Sequence, residues 1–303
     1  MPVTASAQVR DVQIVLVHCQ RQIHLKSADV NQSPERLPIR ERSSRAATGR
    51  HRRPVPAQLP PGAPALVLAA PGSGDEVSAE VASVVSVENP HVDVRLSYLA
   101  DGVEGMAKQL AELAAERPEG ALAAVVVPLV TGPYSRVYRT VREAVAQSGI
   151  RATVTDPLGP HPMLAEALHV RLADRGLARV DRMRLFNIAA PVDGVIVATA
   201  GGEEAARAAE TTAVLLAARL ALPVVAASVD SAPSIRDAAE RLHRIGASKL
   251  AIAPYVIGPE ADLEKVAAEA KAIGAGLADA LGAHSAVAQL AAYQFGHALE
   301  EIL

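Results

Sequence analysis

The amino-acid sequence says one thing twice. Three short blocks within residues 65–168 recur in the same order in the second part of the chain. Leu66-Val67-Leu68-Ala69-Ala70-Pro71-Gly72-Ser73-Gly74-Asp75-Glu76 corresponds to Gly194-Val195-Ile196-Val197-Ala198-Thr199-Ala200-Gly201-Gly202-Glu203-Glu204, which pairs Gly74 with Gly202 at an offset of 128. Val127-Pro128-Leu129-Val130-Thr131-Gly132-Pro133 corresponds to Ala253-Pro254-Tyr255-Val256-Ile257-Gly258-Pro259 at 126, and Leu158-Gly159-Pro160-His161 to Leu281-Gly282-Ala283-His284 at 123. Solenoid units run about 20–50 residues. A repeat this long is a duplicated domain, and function is to be sought between its two copies.

A chain of 303 residues can hold two such copies, each with a core. Half of the residues are apolar, but with no Trp and two Phe the core must be built from Ala, Val, Leu and Ile. No apolar run reaches the ~20 residues that span a bilayer, so no membrane partner is expected. Residues 1–60 carry ten Lys/Arg against four Asp/Glu, a net of +6, which leaves −9 on the rest of a chain whose total is −3. An acidic body argues against a nucleic-acid-binding core. The basic segment, with Arg50-His51-Arg52-Arg53, reads as a solvated, poorly ordered extension. Its apolar piece Val12-Gln13-Ile14-Val15-Leu16-Val17 is too short and badly flanked for a secretory signal. Cys19, also in this segment, is the sole cysteine, so no disulfide framework or Cys-based site is expected in the body. The expected compartment is the cytoplasm, and the oligomeric state is open.

Beyond Pro54 to Pro64, apolar runs of strand length alternate with amphipathic runs of helix length. Strands are expected at 65–70, 92–98, 122–130 and 151–155, then at 194–199, 223–229, 249–257 and 275–279. Helices are expected near 76–88, 103–116, 136–148, 162–175, 203–221, 232–245, 260–273 and 284–302. Ala124-Val125-Val126-Val127 reads as a strand covered on both faces, and alternation of this kind implies parallel sheets with right-handed crossovers. The chain therefore divides into an extension (1–62), a first α/β half (63–177), a linker (178–193) and a second half (194–303). Ligands of such sheets collect beyond the carboxyl ends of the strands, so the loops at 70–76, 98–103, 130–136 and 156–162, and their partners, should line a cleft.

The residues on those loops admit several chemistries. Pro71-Gly72-Ser73-Gly74-Asp75-Glu76 could cradle an anion at a helix start, but it lacks the Lys of a Walker loop and the third glycine of a dinucleotide fingerprint, which favours a tight turn. His161 and His284 hold the same place in the two halves and could ligate a metal, or could cap helices. The other body histidines, His91, His169, His243 and His297, have no metal-like pairing and read as solvated or packed. Asp101, Asp230, Tyr134, Arg136, Tyr255 and Glu260 fall at or just past strand ends, where they could supply acid–base or carboxylate-binding groups or simply make loops polar.

Taken together these residues resemble the class II tetrapyrrole chelatases of the CbiX type, over roughly 64–297. The carriers are Val127-Pro128-Leu129, Asp156-Pro157-Leu158-Gly159-Pro160-His161-Pro162-Met163-Leu164-Ala165-Glu166, Pro233-Ser234-Ile235 with Arg241-Leu242 and Gly246-Ala247, and the second-half blocks quoted above. The resemblance implies a tandem of two chelatase-like (flavodoxin-like) parallel four-stranded sheets flanked by helices. It also implies Co2+ or Fe2+ as the metal substrate and sirohydrochlorin as the small-molecule partner, on a route to cobalamin or siroheme.

The same resemblance implies a His after the first strand, a Glu at the end of the second and a second His in the loop after the third, to bind metal and accept pyrrole protons. This chain has Pro71 and Ala100 at the first two positions, and the third falls within Gly132-Pro133-Tyr134-Ser135-Arg136. An active protein would need a rebuilt site, with Asp101 or Asp230 as base, His161 or His284 near the metal, and Ser73, Arg136 and Tyr255 against the ligand. The alternative is a binding protein that keeps the cleft without turnover. A nucleotide-binding regulatory module is a third.

Overall fold

The computed structural model describes residues 62–179 and 191–302. The extension expected at 1–62 and the linker at 178–193, with Cys19 and the Arg50–Arg53 cluster, fall largely or wholly outside the described residues.

Each half opens on a strand whose six residues are all buried, β1 (Ala65–Ala70) and β5 (Gly194–Thr199). Uninterrupted Ala, Val, Leu and Ile fit a site with protein on both faces and hydrogen-bonded neighbours on both edges. The first sheet adds β2 (Val94–Tyr98), β3 (Ala124–Pro128) and β4 (Ala152–Val154) in the order β2-β1-β3-β4. The second adds β6 (Val224–Ser228), β7 (Leu250–Pro254) and β8 (Gly276–Leu277) in the order β6-β5-β7-β8. Every pairing is parallel. In both sheets the connections leave the first strand in one direction and the third in the other, which opens a crevice at their carboxyl ends.

Eight helices among the described residues complete the layers: α1 (Glu76–Glu88), α2 (Gly102–Ala115), α3 (Ser135–Ser148), α4 (Pro162–Asp174), α5 (Gly202–Leu220), α6 (Ile235–Arg244), α7 (Leu263–Ala272) and α8 (Ser285–Ile302). In the first half Ala65, Val67 and Ala69 turn one face of β1 toward Met106 and Leu110 of α2 and Val137 and Val141 of α3. In the second, Ile196 and Ala198 of β5 face Leu242 of α6 and Val266 of α7.

The opposite faces are covered differently. Helix α8, from the end of the chain, packs on α1 and on β3 of the first sheet, while α4, from the first half, packs on α5 and on β7 of the second. Each sequence half thus gives its last helix to the other's layer. The apolar side of α4, Leu164, Ala165, Leu168 and Leu172, is fully enclosed as a result. Burying a leucine side chain contributes about 1.5–3 kcal/mol, so the exchange is a large part of what joins the halves.

Candidate functional site

Both sheets end on the same seam. From the first come the loop Pro71–Asp75 after β1, the short 3-10 turn Leu99–Asp101 after β2, and Leu129–Tyr134 after β3. The first two touch, since the Ala100 N–H donates to the Gly72 carbonyl at 3.4 Å. From the second half come Ala200-Gly201, Val229–Ser234 and Tyr255–Ala261.

The centre of the seam is packed, not open. Thr131 Oγ1 donates to the Tyr255 carbonyl at 2.7 Å. Tyr255 is 1% exposed, and its hydroxyl accepts from Thr212 Oγ1 at 3.1 Å. Burial pushes that phenol up to about 12. A side chain at Gly159 would run into the Tyr255 hydroxyl and the Thr131 carbonyl, and one at Gly72 into the Pro259 ring. Gly72 and Gly159 of the repeated blocks thus sit at close approaches between the halves. Tyr255, expected against a ligand, is enclosed as part of this clasp.

Two carboxylates lie inside the seam. Glu260 accepts from the backbone N–H of Ile257 and, at 2.6 Å, from that of Gly258. Burial raises it to about 6, and the nearby Asp75 charge adds to the rise. Asp75 caps α1 by accepting from the Ser78 N–H at 2.7 Å through Oδ1, while its buried Oδ2 has no hydrogen-bond partner. Asp75 Oδ1, Glu260 Oε2 and Ser78 Oγ all converge on Gly258, each within 3.9 Å of where its Cβ would lie. Sequence reading singled out Glu260 by its place after a strand. It missed the unpartnered oxygen of Asp75, because an Asp before a helix reads as a cap and nothing more.

The histidines resolve into caps. Nδ1 of His161 accepts from the Met163 N–H at 3.2 Å at the start of α4, and Nδ1 of His284 accepts from the Ala286 N–H at 3.1 Å at the start of α8. An accepting Nδ1 assigns the proton to Nε2, so each ring presents a donor where a metal needs a lone pair. Burial lowers the pKa of both, with the Arg171 charge adding to the effect at His284. These are the two exchanged helices, which gives the duplicated His a structural meaning. His169 Nε2 lies 2.7 Å from the Arg179 carbonyl, and His243 Nδ1 2.8 Å from that of Ala247. No cluster of three His, Cys, Asp or Glu with metal-holding geometry occurs among the described residues.

The remaining candidates sit on the rim. Ser73, Ala100, Asp101 and Arg136 are exposed at the carboxyl edge of the first sheet, with Pro71 half-buried beside them. Tyr134 packs against the cores of both halves. Burial raises its phenol pKa, the Asp230 and Glu260 carboxylates add to the rise, and the Arg136 charge works against it. Asp230 is exposed on the second-half rim, where Oδ2 accepts from the Gly201 N–H at 3.2 Å. The structure therefore gathers Pro71, Ser73, Ala100, Asp101, Tyr134 and Arg136 at the carboxyl edge of the first sheet, and places His161 and His284 at the helix exchange.

Two solved structures share this arrangement of sheets. SirB from Bacillus subtilis, solved with Fe3+, matches with a TM-score of 0.58 at 15% identity, over 76% of this chain and 93% of its own. CbiX, the terminal enzyme for biosynthesis of siroheme in denitrifying bacteria, matches with 0.53 at 18% identity, over 80% of this chain and 100% of its own. The chain has a class II chelatase-like fold. No family model and no curated protein matches the sequence. In this chelatase-like fold the likeness spans both sheets, and no described helix is long and apolar enough to cross a membrane.

Proposed function

We propose that this chain is a sirohydrochlorin-chelatase-like protein of tetrapyrrole metabolism, which takes its macrocycle at the carboxyl edge of the first sheet. The observation that carries this reading is the convergence there of the loops after β1, β2 and β3, with two helices that begin without a side-chain cap. Neither Asp101 before α2 nor Tyr134 before α3 caps its helix. Uncapped helix N-termini, with the exposed Arg136 in the first turn of α3, attract the carboxylate arms of such a ligand. Ser73 adds a hydroxyl on the facing loop.

Metal insertion replaces two pyrrole N–H bonds with bonds to Co2+ or Fe2+ and releases two protons. Asp101, exposed on the 3-10 turn, is the carboxylate placed to accept them, and Asp230 stands across the seam. A second reading is binding without turnover. The engagement of both His161 and His284 as caps favours it, since neither ring offers a lone pair to the ion.

The test is an anaerobic absorbance titration of sirohydrochlorin with the full chain, with and without Co2+ or Fe2+, after subtracting the spontaneous rate. Acceleration at substoichiometric protein, lowered by Asp101→Asn, supports insertion. A spectral shift that saturates at one equivalent without acceleration supports the binding reading, and no shift sinks both.

A further inference from the structure

The duplication lets one edge of the molecule be compared with its twin. On the offset of 123 that pairs His161 with His284, Asp156 corresponds to Asp279, Thr153 to Gly276 and Ala298 to Arg175. In the second half the place beside the edge strand β8 is filled by the chain itself. Just past the end of α4, the Arg175 guanidinium spans the Asp279 carboxylate, with Nε 2.9 Å from Oδ2 and Nη2 2.5 Å from Oδ1. These bonds hold the Asp279 carboxyl below its usual pKa. Leu177, two residues on, closes over the strand where a side chain at Gly276 would lie.

The first half keeps the carboxylate and lacks what fills the place. Helix α4 stops at Asp174, whereas α8 runs through the matching His297 to Ile302, so no segment turns back over β4. Ala298 stands where the twin has its guanidinium. What remains is a cavity of about 340 Å3 between Thr153–Asp156, at the end of β4, and Tyr293, His297 and Glu301 of α8. Its lining contains two carboxylates, Asp156 and Glu301, and no Lys or Arg. Asp156 makes no ion pair among the described residues. Arg142, which shares Tyr138 with it as a neighbour, lies over that ring at 5.6 Å from the centroid. Glu301 has only the imidazole of His297, whose Nδ1 is 3.7 Å away. The Tyr293 ring, 41% exposed, gives the cavity a wall on which a planar cation can stack. A place that keeps the twin's carboxylate and is missing the twin's cation is the complement of that cation.

We infer that this cavity is a binding site for a guanidinium group, held on the Asp156 carboxylate and stacked on Tyr293, with Glu301 at its mouth. The site is at the outer edge of β4 and does not depend on the macrocycle reading.

The experiment is isothermal titration calorimetry of the full chain with ethylguanidinium and, separately, with the capped tripeptide Arg-Gly-Leu, the sequence that fills the twin. Ethylammonium at the same ionic strength is the control for charge alone. Saturable binding of at least one guanidinium probe at one equivalent is expected. A tighter tripeptide assigns the group to a polypeptide segment, and equal or tighter ethylguanidinium assigns it to a small molecule. The twin pair is about half exposed, so loss of the carboxylate charge in Asp156→Asn should weaken binding by about fivefold, while Asp279→Asn, whose partner is already in place, should leave it unchanged. The amide NMR shifts of Thr155 and Asp156 in the wild type give an independent readout and should move with the same saturation. No saturable binding of either guanidinium probe, ethylammonium binding as tightly, undiminished binding by Asp156→Asn, or shifts confined to other amides would overturn the site.

Discussion

Arg171 on α4 donates to the Leu281 carbonyl through both Nε and Nη2, at 3.2 and 2.7 Å. The reverse bond exists: Gln294 on α8 donates to the Pro157 carbonyl at 3.2 Å. Arg171 and Gln294 are separated by the same 123 residues as His161 and His284, so the duplication has preserved a matched pair of clasps at the helix exchange. Arg171→Ala should cost about 1.5–3 kcal/mol, the range for a hydrogen bond to a charged group, and Gln294→Ala about 1 kcal/mol. Urea unfolding of both variants checks this, and a larger loss for Gln294→Ala would contradict it.

The capping role of the histidines predicts which replacements they tolerate. Asn is a strong N-cap, so His161→Asn and His284→Asn should stay close to wild type, whereas His161→Ala and His284→Ala should each lose about 1 kcal/mol. Burial depresses both imidazole pKa values, so the unfolded chain binds more protons. The caps therefore stabilise above the ordinary His value near 6.5 and fade as pH falls below it. Thermal melts of the four variants at pH 5 and pH 8 read this out. A metal-ligand role predicts instead that Asn and Ala behave alike without metal.

Glu260 has the opposite sign. Its folded value of about 6 lies above the ordinary 4.5, so the folded chain holds the extra proton. Its contribution is complete below about pH 4.5 and is lost as pH rises through 6, a difference of about 2 kcal/mol. The gap in unfolding free energy between wild type and Glu260→Gln, followed from pH 4 to pH 8, should shift against the wild type by that amount. A gap independent of pH would remove the buried-carboxylate account.

Gly159 and Tyr255 form a testable pair across the seam. Gly159→Ala drives a methyl into the Tyr255 hydroxyl and the Thr131 carbonyl, with an overpacking cost of about 1–3 kcal/mol. Tyr255→Phe removes one of the two obstacles and gives up the bond from Thr212, worth about 1 kcal/mol. The double variant should be more stable than the sum of the singles implies, and strict additivity would mean that the two do not touch.

The sheets were legible because fully covered parallel strands are continuous apolar runs. β1, β3, β5 and β7 fall where Ala, Val, Leu and Ile cluster. The edge strands β4 and β8 are shorter than the expected 151–155 and 275–279. The helix exchange was not legible. Leu164, Leu168 and Leu172 mark a buried face but carry no sign of which sheet covers it. Tyr255 misled for a related reason: a polar tip past a strand suggests a loop, and only the partner glycine 96 residues earlier, Gly159, betrays the close approach that buries it.

A gene encoding one half alone would make a product with one sheet face bare, because the helix that should cover it belongs to the other copy. Such a product could complete itself only by trading helices with a twin, so joining the two reading frames converted an obligate pair into a single heritable unit. Once that was done, the two ends of the old symmetric groove were free to diverge.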